Sequence, residues 1–591
     1  MNASRLGFHP QRVSDGSAVI GGAMWLAIVV GGPFRRLELL LLLAPLVLVP
    51  LLLGMIPAEG GREASSRWYW CAVLGQPIGA LLVTASFALD HGVLAGMLIV
   101  PWGAVTLSMA LWGLERLLPR GLEPLSELSI DAGLLYITVG SCWLLISRLG
   151  MNPLGFGDPI VFFTGIHFHY AGFVLPLLAG IAGRALSNGV WRRIYTFSVV
   201  TIVFGPGLIA AGITLSPLVE VVAVTALTVG VVAFALVTLL AIVPSRTNRF
   251  QQAALTVSSL AIAASMVFAF GYGLSEFLGR TLAGLQIGTM VAFHGHLNAL
   301  GFALCGAVGW RVAVPASYSV CHAPFSSLTA DGRVGADYLE RNGIVGPLSP
   351  SGQMDDLAAY DRPDFDSGAV HPAIRTFYEH TAEYELRYKA TWHPGFRTGA
   401  RLAKRLTMRI EQLDLPVGAN SQRTDSQIVD IDDSVDGRTG VRAWIRTDTE
   451  TGNAVFVAAY ATHKHDGETY MNIGLPLPWC NLSALLWMDT IETDVDSAGI
   501  RLSSRTRDEQ GNEGLYLITP HLPVRLPMCE DFRVWPASVD APQAPTTLRT
   551  DDTALVAQHE MWLFGQQFLT IQYAIEHVGS TNESPESKRR S

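Results

Sequence analysis

The chain has 591 residues, 50% of them apolar and 15% charged, with a mean hydropathy of +0.33 and a formal net charge of −9. That length exceeds one ordinary domain, that hydropathy excludes a simple soluble globule, and the overall acidity argues against nucleic acid as a partner. The charge is split: residues 1–320 hold 16 Arg, no Lys and 12 Asp+Glu, net +4, whereas residues 321–591 hold 25 Lys+Arg and 38 Asp+Glu, net −13.

In chain order, the first apolar run begins near Ala18 and meets no small-residue cleavage site before "FRRLELL", so no removable signal peptide is expected. Crossing the hydrocarbon core takes about 20 apolar residues. Runs of that kind lie at 37–57, 68–89, 92–113, 130–148, 159–182, 194–213, 216–243, 251–274 and 282–310. A shorter Gly-rich run at 18–33 makes the count nine or ten. The arginine-rich connections around Arg184, Arg192 and Arg193, and around Arg246 and Arg249, are expected on the cytoplasmic side. Alternation then places Arg62, Arg67, Arg116 and Arg120 inside too, and the chain leaves its last span at Arg311 into the cytoplasm. Only Arg35 and Arg36 conflict with ten spans.

Two of these runs carry histidines: "FTGIHFHYAGF" (Phe163 to Phe173) and "FHGHLNALGF" (Phe293 to Phe302). Ionisable side chains at such depth normally face the bundle interior or a cavity. Residues i and i+2 of a helix point about 200° apart, so each HxH aims one ring inward, not two. His294 and Asn298 share a face at i, i+4, and Gly295 and Gly301 allow close approach of a neighbour. The candidate polar site is therefore His167, His169, Tyr170, His294, His296 and Asn298. Its four histidines are candidate ligands of a haem iron or a transition-metal ion. Proton transfer, hydrogen bonding to a quinone or lipid head group, and plain interhelical bonding worth about 0.6–2 kcal/mol each remain open alternatives. Glu220 and Glu276 sit at helix ends and read as interfacial. The Pro/Gly-rich "MNPLGFGDP", Met151 to Pro159, reads as a connection at the outer end of the histidine span.

The pairing of "HFHYAGF" with "HGHLNALGF" in a multi-span bundle resembles the YndJ-like family of bacterial membrane proteins, over roughly the first 310 residues. The resemblance implies an architecture and no mechanism, because the family has no established biochemical activity.

The second half reads as soluble. Residues 312–365, rich in Gly, Ser, Pro and Asp, read as a linker between a transmembrane unit at 1–311 and an α+β domain at 366–578, with a disordered tail at 579–591. A helical pattern starts at His371, carrying Phe377, Tyr384 and Leu386 among Glu379, Glu383, Glu385 and Arg387. The basic segment "RTGARLAKRLTMRIEQL" follows, with Arg401, Lys404, Arg405 and Arg409 as candidate contacts to an anionic lipid surface. From Val441 the period changes to two. "VRAWIRTD", "NAVFVAAYATH", "ETYMNIGLP", "LSALLWMDTI", "IRLSSRT", "GLYLIT", "DFRVWPA" and "HEMWLFGQQFLTIQYAI" predict an antiparallel meander, sandwich or small barrel. Such a barrel is the shape that encloses apolar ligands. His463 and His465 read as surface residues of a hairpin.

The six cysteines show no CxxC spacing, which fits neither a zinc knuckle nor a disulfide framework. GxSxG, P-loop and GxGxxG patterns are missing as well. Three function classes stand: a redox or sensor protein with a histidine-held cofactor, a proton-coupled carrier, and a non-catalytic lipid-binding membrane protein. Whether the chain is an enzyme is left open.

Overall fold

Long apolar runs in the first half have no way to satisfy their backbone in hydrocarbon except as helices, and among the described residues ten such helices form. They are Pro10–Gly31, Arg36–Leu53, Arg67–Phe87, Val93–Arg120, Leu125–Arg148, Pro159–Arg184, Val190–Leu215, Pro217–Ser245, Arg249–Leu278 and Ile287–Val312, called spans 1 to 10 below. All ten are long and apolar enough to cross a membrane, including the run at 18–33, which lengthens to 22 residues. The computed structural model describes residues 10–32, 34–57, 66–187, 189–282, 284–318, 323–418, 420–491, 499–507, 511–539, 541 and 543–578. Arg62, Cys321, the turn residues 508–510 and the tail at 579–591 lie outside them. The chain divides into two units, 1–117 with 122–319 and 118–121 with 320–591.

Several spans are not uniform α-helices. π-Turns occupy Ala44–Leu48, Tyr170–Val174 and Thr238–Ile242, and each contains or lies just ahead of residue i−4 of a proline (Pro50, Pro176 or Pro244). Proline lacks the N–H that this carbonyl would accept and its ring crowds it, so a widened turn absorbs the mismatch. Span 10 carries π-turns at Val291–Gly295 and Leu297–Leu304 with no proline nearby. There the distortion centres on the His-Gly-His sequence.

Four buried charged residues of the first unit pair with one another. Arg116 of span 4 reaches Glu127 at 2.5 Å and Asp131 at 2.8 Å, both on span 5, and Arg184 of span 6 reaches Glu127 at 2.5 Å. These four side chains are at most 1% exposed. Two cations against two carboxylates leave no unbalanced charge, and the cluster locks one end of three spans together. At the other end of span 5, Arg148 donates to the Ser86 and Leu89 carbonyls at 2.8 and 2.6 Å, closing the C-terminus of span 3.

The second unit is a closed antiparallel barrel. Its sheet runs β5-β4-β3-β2-β1-β12-β11-β10-β7-β6, and β5 pairs back onto β6, so ten strands close a ring, with β8 and β9 appended at β6. The strands are Tyr384–Trp392 (β1), Gln422–Asp430 (β2), Arg442–Asp448 (β3), Ala454–His465 (β4), Glu468–Leu477 (β5), Cys480–Ile491 (β6), Gly499–Ser503 (β7), Gly514–Ile518 (β8), Pro523–Arg525 (β9), Met528–Pro536 (β10), Thr553–Leu563 (β11) and Gln566–His577 (β12). Closure removes the free edges that an open sheet would expose. Inward residues of these strands, among them Leu386, Trp444, Met471, Leu486, Val534 and Tyr573, make one continuous apolar cluster.

Two sequence expectations change here. The helix begun at His371 spans only Pro372–Glu379, and Tyr384 to Arg387 belongs to β1. Tyr384 and Leu386 alternate with Glu385 and Arg387, a period of two, and their packing partners lie inside the barrel. The stretch read as a linker is built into the fold: Met354, Leu357, Tyr360 and Phe365 join the barrel core, with Ile374 and Phe377 of the short helix. Earlier, Val334, Tyr338 and Leu339 pack on the outer face of β3 and β4 against Val441, Ile445 and Val457. Low periodicity marked this segment as loop, but a loop with well-spaced large side chains can still plug a barrel. The basic helix forms over Arg397–Ile410 as expected and ends at Glu411 in the left-handed conformation.

Candidate functional site

The two histidine motifs divide their rings by helix geometry. On span 6, His169 is fully buried, and its Nδ1 lies 2.7 Å from the Gly165 carbonyl one turn back. Trp102 Nε1 of span 4 donates to His169 Nε2 at 3.1 Å, with the rings 13° from parallel. With one nitrogen donating and the other accepting, the neutral imidazole is saturated. Gly140 of span 5 leaves room for this ring, since a Cβ there would come within 2.9 Å of Nδ1. Next to it, the Tyr170 hydroxyl donates to the Leu40 carbonyl of span 2 at 2.5 Å. Both side chains fasten spans together.

His167 points the other way. Its Nδ1 donates to the Phe163 carbonyl at 2.7 Å, and its ring faces that of His294 on span 10, with centroids 6.4 Å apart and planes 30° apart. His167 lies about 12 Å along span 6 from Pro159, at 1.5 Å per residue. It is nonetheless exposed and makes this contact with span 10. The two rings therefore meet at the contact between spans 6 and 10. Spans 6 and 10 approach each other through the π-turns Tyr170–Val174 and Leu297–Leu304.

His294 is held by span 9. Its Nδ1 lies 2.9 Å from Ser265 Oγ and 3.1 Å from the Ser265 carbonyl. Asn298 donates to the His294 carbonyl at 2.9 Å and to Ser265 Oγ. Close packing makes this reach available: a Cβ on Gly301 would meet Ala261 of span 9 at 2.5 Å, and one on Gly295 would meet Leu40 of span 2 at 3.0 Å. His296 bonds back to the Val291 and Ala292 carbonyls at 3.1 Å each, away from the pair.

The structure thus brings together His167, His294 and Asn298, adds Ser265, and separates His169, Tyr170 and His296. A four-histidine centre is not assembled, because both nitrogens of His169 are occupied and His296 turns to the opposite side of its helix. Among the described residues, no group of three or more His, Cys, Asp or Glu is placed to hold a metal ion. Ser265, which sequence reasoning missed, carries no signal of its own in an apolar span. Its visible trace is a spacing of seven, Gln251, Ser258 and Ser265, each bonding to span 10 or the residue that follows it. Tyr272 and Glu276 lie farther along the same helix, hydrogen-bonded to each other. The connection at 151–159 holds only a 3₁₀ turn, Pro153–Gly155, with Leu154 exposed.

In the barrel, His463 departs from the surface reading. It stacks on Tyr470 at 5.2 Å and lies 3.3 Å from the side-chain nitrogens of Asn472 and Asn512. Burial, then the nearby His465 and Arg438, push its pKa down to about 4. Arg438 itself is buried against Asp436 at 2.6 Å and donates to the Asn472 carbonyl at 2.6 Å. On the basic helix, Lys404 pairs with Asp414 at 2.7 Å, whereas Arg401, Arg405 and Arg409 are exposed. Leu402 and Leu406 are exposed on the same helix, 66% and 62%.

Residues 39–302, which include both histidine motifs, match the family model described as YndJ-like protein, as the two motifs had suggested. Over 548 residues the chain is 29% identical to the uncharacterized membrane protein YndJ of Bacillus subtilis (strain 168). That alignment covers 92% of this chain and 95% of the relative, so it includes the barrel half. No solved structure matches.

Two outcomes follow from this geometry. His169→Ala orphans a buried Trp102 N–H and leaves a cavity, so it should lower stability by about 3–5 kcal/mol, while His167→Ala should cost less than about 1 kcal/mol. Unfolding of both variants in mixed micelles checks the contrast, and equal losses would contradict it. For His463, the folded pKa lies below the ordinary 6.5, so the unfolded chain takes up the proton first. Its contribution is complete above about pH 6.5 and is lost as pH falls toward about 4. The barrel melting temperature should fall across that window, and His463→Gln should flatten the slope.

Proposed function

We propose that the chain is an integral membrane protein whose working centre is the His167–His294 pair, two imidazoles that would hold one metal centre, a haem iron or a single transition-metal ion. One observation carries the reading: each Nδ1 is tied to its own scaffold, His167 to the Phe163 carbonyl and His294 to Ser265. Such bonds fix the tautomer of each ring, as second partners do for metal-ligating histidines; His294 Nε2 also lies 3.3 Å from Asn298 Nδ2, a contact that a ligand would replace. Only two protein ligands meet at this point, which suits a haem iron already held by four ring nitrogens better than a bare ion.

A second reading has its own support. His294, Ser265 and Asn298 form a connected set of hydrogen-bonding groups within the spans, suited to passing a proton in a coupled carrier. The arginine distribution supports a barrel on the cytoplasmic side. Exposed Leu402 and Leu406 beside Arg405 and Arg409 support its basic helix resting on anionic lipid. A fluorophore at position 406 should then blue-shift with phosphatidylglycerol in the bilayer and stay unchanged in neutral lipid.

Optical and metal analysis of the purified full-length protein decides between the two readings. A Soret band or near-stoichiometric metal is expected, abolished by His167→Ala and by His294→Ala and retained in His296→Ala. Absence of both signals from the wild type sinks the metal reading. Proton flux in liposomes that His294→Ala stops would then favour the carrier.

A further inference from the structure

The barrel interior is filled at one end only. Where β1 begins and β12 ends, the segment that contributes Tyr360, Phe365, Ile374 and Phe377 plugs it, and inward residues there are buried. At the opposite end, where β1 ends and the β5–β6 and β11–β12 hairpins turn, inward residues are only half-buried. Trp392, Phe456, Leu475, Met528, Phe532 and Met561 are all in that state. Half-exposed apolar side chains on the inside of a closed barrel mark unfilled space at its mouth.

Arg446 of β3 stands in that mouth. Its guanidinium lies 4.4 Å from the ring centre of Trp444 and 4.1 Å from that of Phe456, both inward-facing. Among the described residues no carboxylate lies within ion-pair distance of it, and its Nε is buried without a partner. The inward carboxylate of Glu530 is taken by His559 at 2.8 Å, and that of Asp448 accepts from the backbone of its own turn at 2.8 and 3.0 Å. Trp444, 5% exposed, has an unpartnered Nε1, as has the hydroxyl of Ser426, directly across from Arg446 on β2. The guanidinium has one neutral partner, the buried Tyr573 phenol, to which it hydrogen-bonds. A half-buried cation with no carboxylate, next to orphaned donors, has binding energy to gain from an anion.

We infer that the barrel mouth binds an anionic amphiphile, its carboxylate or phosphate head on Arg446 with Trp444 Nε1 and Ser426 Oγ, and its hydrocarbon tail on the half-buried apolar residues. Guanidinium forks match such planar oxyanions, and the surrounding aromatic walls exclude water from the contact. The rim suits delivery from a bilayer. Trp479 and Phe564, at the tips of the β5–β6 and β11–β12 hairpins, are 71% and 68% exposed. Both adopt positive φ, 60° and 49°, a conformation unusual for bulky residues, and backbone bonds of 2.8 Å to Ala330 and Pro527 hold them there.

The test uses the full-length chain in nanodiscs of neutral lipid with a diazirine-bearing long-chain fatty acid, photo-crosslinked and mapped by mass spectrometry. Labelling of peptides within 441–460 is expected, competed by oleate but not by oleyl alcohol or inorganic phosphate. Arg446→Met should reduce it roughly tenfold or more, with Arg446→Lys intermediate. Labelling absent from the barrel, equal labelling in a folded Arg446→Met, or equal competition by the alcohol would overturn the inference. Competition by phosphate alone would overturn it in favour of a free-anion site. Should Arg446→Met fail to melt cooperatively, the oleate-against-alcohol comparison on the wild type still decides.

Discussion

Within hydrocarbon a polar group has only the protein to bond with, and that single constraint organises the first half of this chain. Hydroxyls, imidazoles and guanidinia there reach across helix boundaries: Tyr170 to Leu40, Trp102 to His169, Ser258 to Phe302, Arg184 to Glu127. Each bond joins two spans that apolar packing alone would leave free to slide, since lipid tails compete equally for apolar side chains. The same constraint separates the histidines. His169 meets it completely through Gly165 and Trp102 and so has no valence left for a ligand. His167 meets it through one nitrogen, bonded to the Phe163 carbonyl, and its ring lies against that of His294.

The π-turns show how local chemistry sets this placement. In spans 2, 6 and 8 a proline follows or closes the widened turn, so the distortion has a covalent cause. In span 10 it has none, and the turns instead bring His294 to Ser265 and Gly301 against Ala261. Widened turns without a proline are frequent where a helix carries a ligand site. The position of span 10's π-turns, around the histidine motif, follows that pattern.

The barrel follows another rule, that a closed sheet must fill its interior or hold something in it. Residues 354–378 fill one end. At the other, aromatic and aliphatic side chains surround a guanidinium that no described carboxylate pairs with. The two halves thus share a motif in physical terms: most buried polar groups are satisfied locally, and the few that are not mark the places where a ligand has something to gain.

Hydropathy alone located nine spans and left the short run at 18–33 open, because about twenty consecutive apolar residues leave few alternatives; period-two alternation located most strands from Val441 onward, missing Pro523–Arg525 and running Thr553–Leu563 and Gln566–His577 together. The helical separation of i and i+2 also told, before any coordinates, that one histidine of each motif would point away from the other. β1 and β2 were illegible: Tyr384 to Arg387 sits directly after a true helix, and the outward residues of β2 are as polar as a loop's. The first part of the plug, 354–365, reads as a linker because its large side chains follow no repeat. Which histidine of each pair met its counterpart, that Ser265 would hold it, and that Arg446 would stand without a carboxylate depended on contacts between residues far apart in the chain. Periodicity reports which face of an element is apolar, and only the packed structure decides what that face meets.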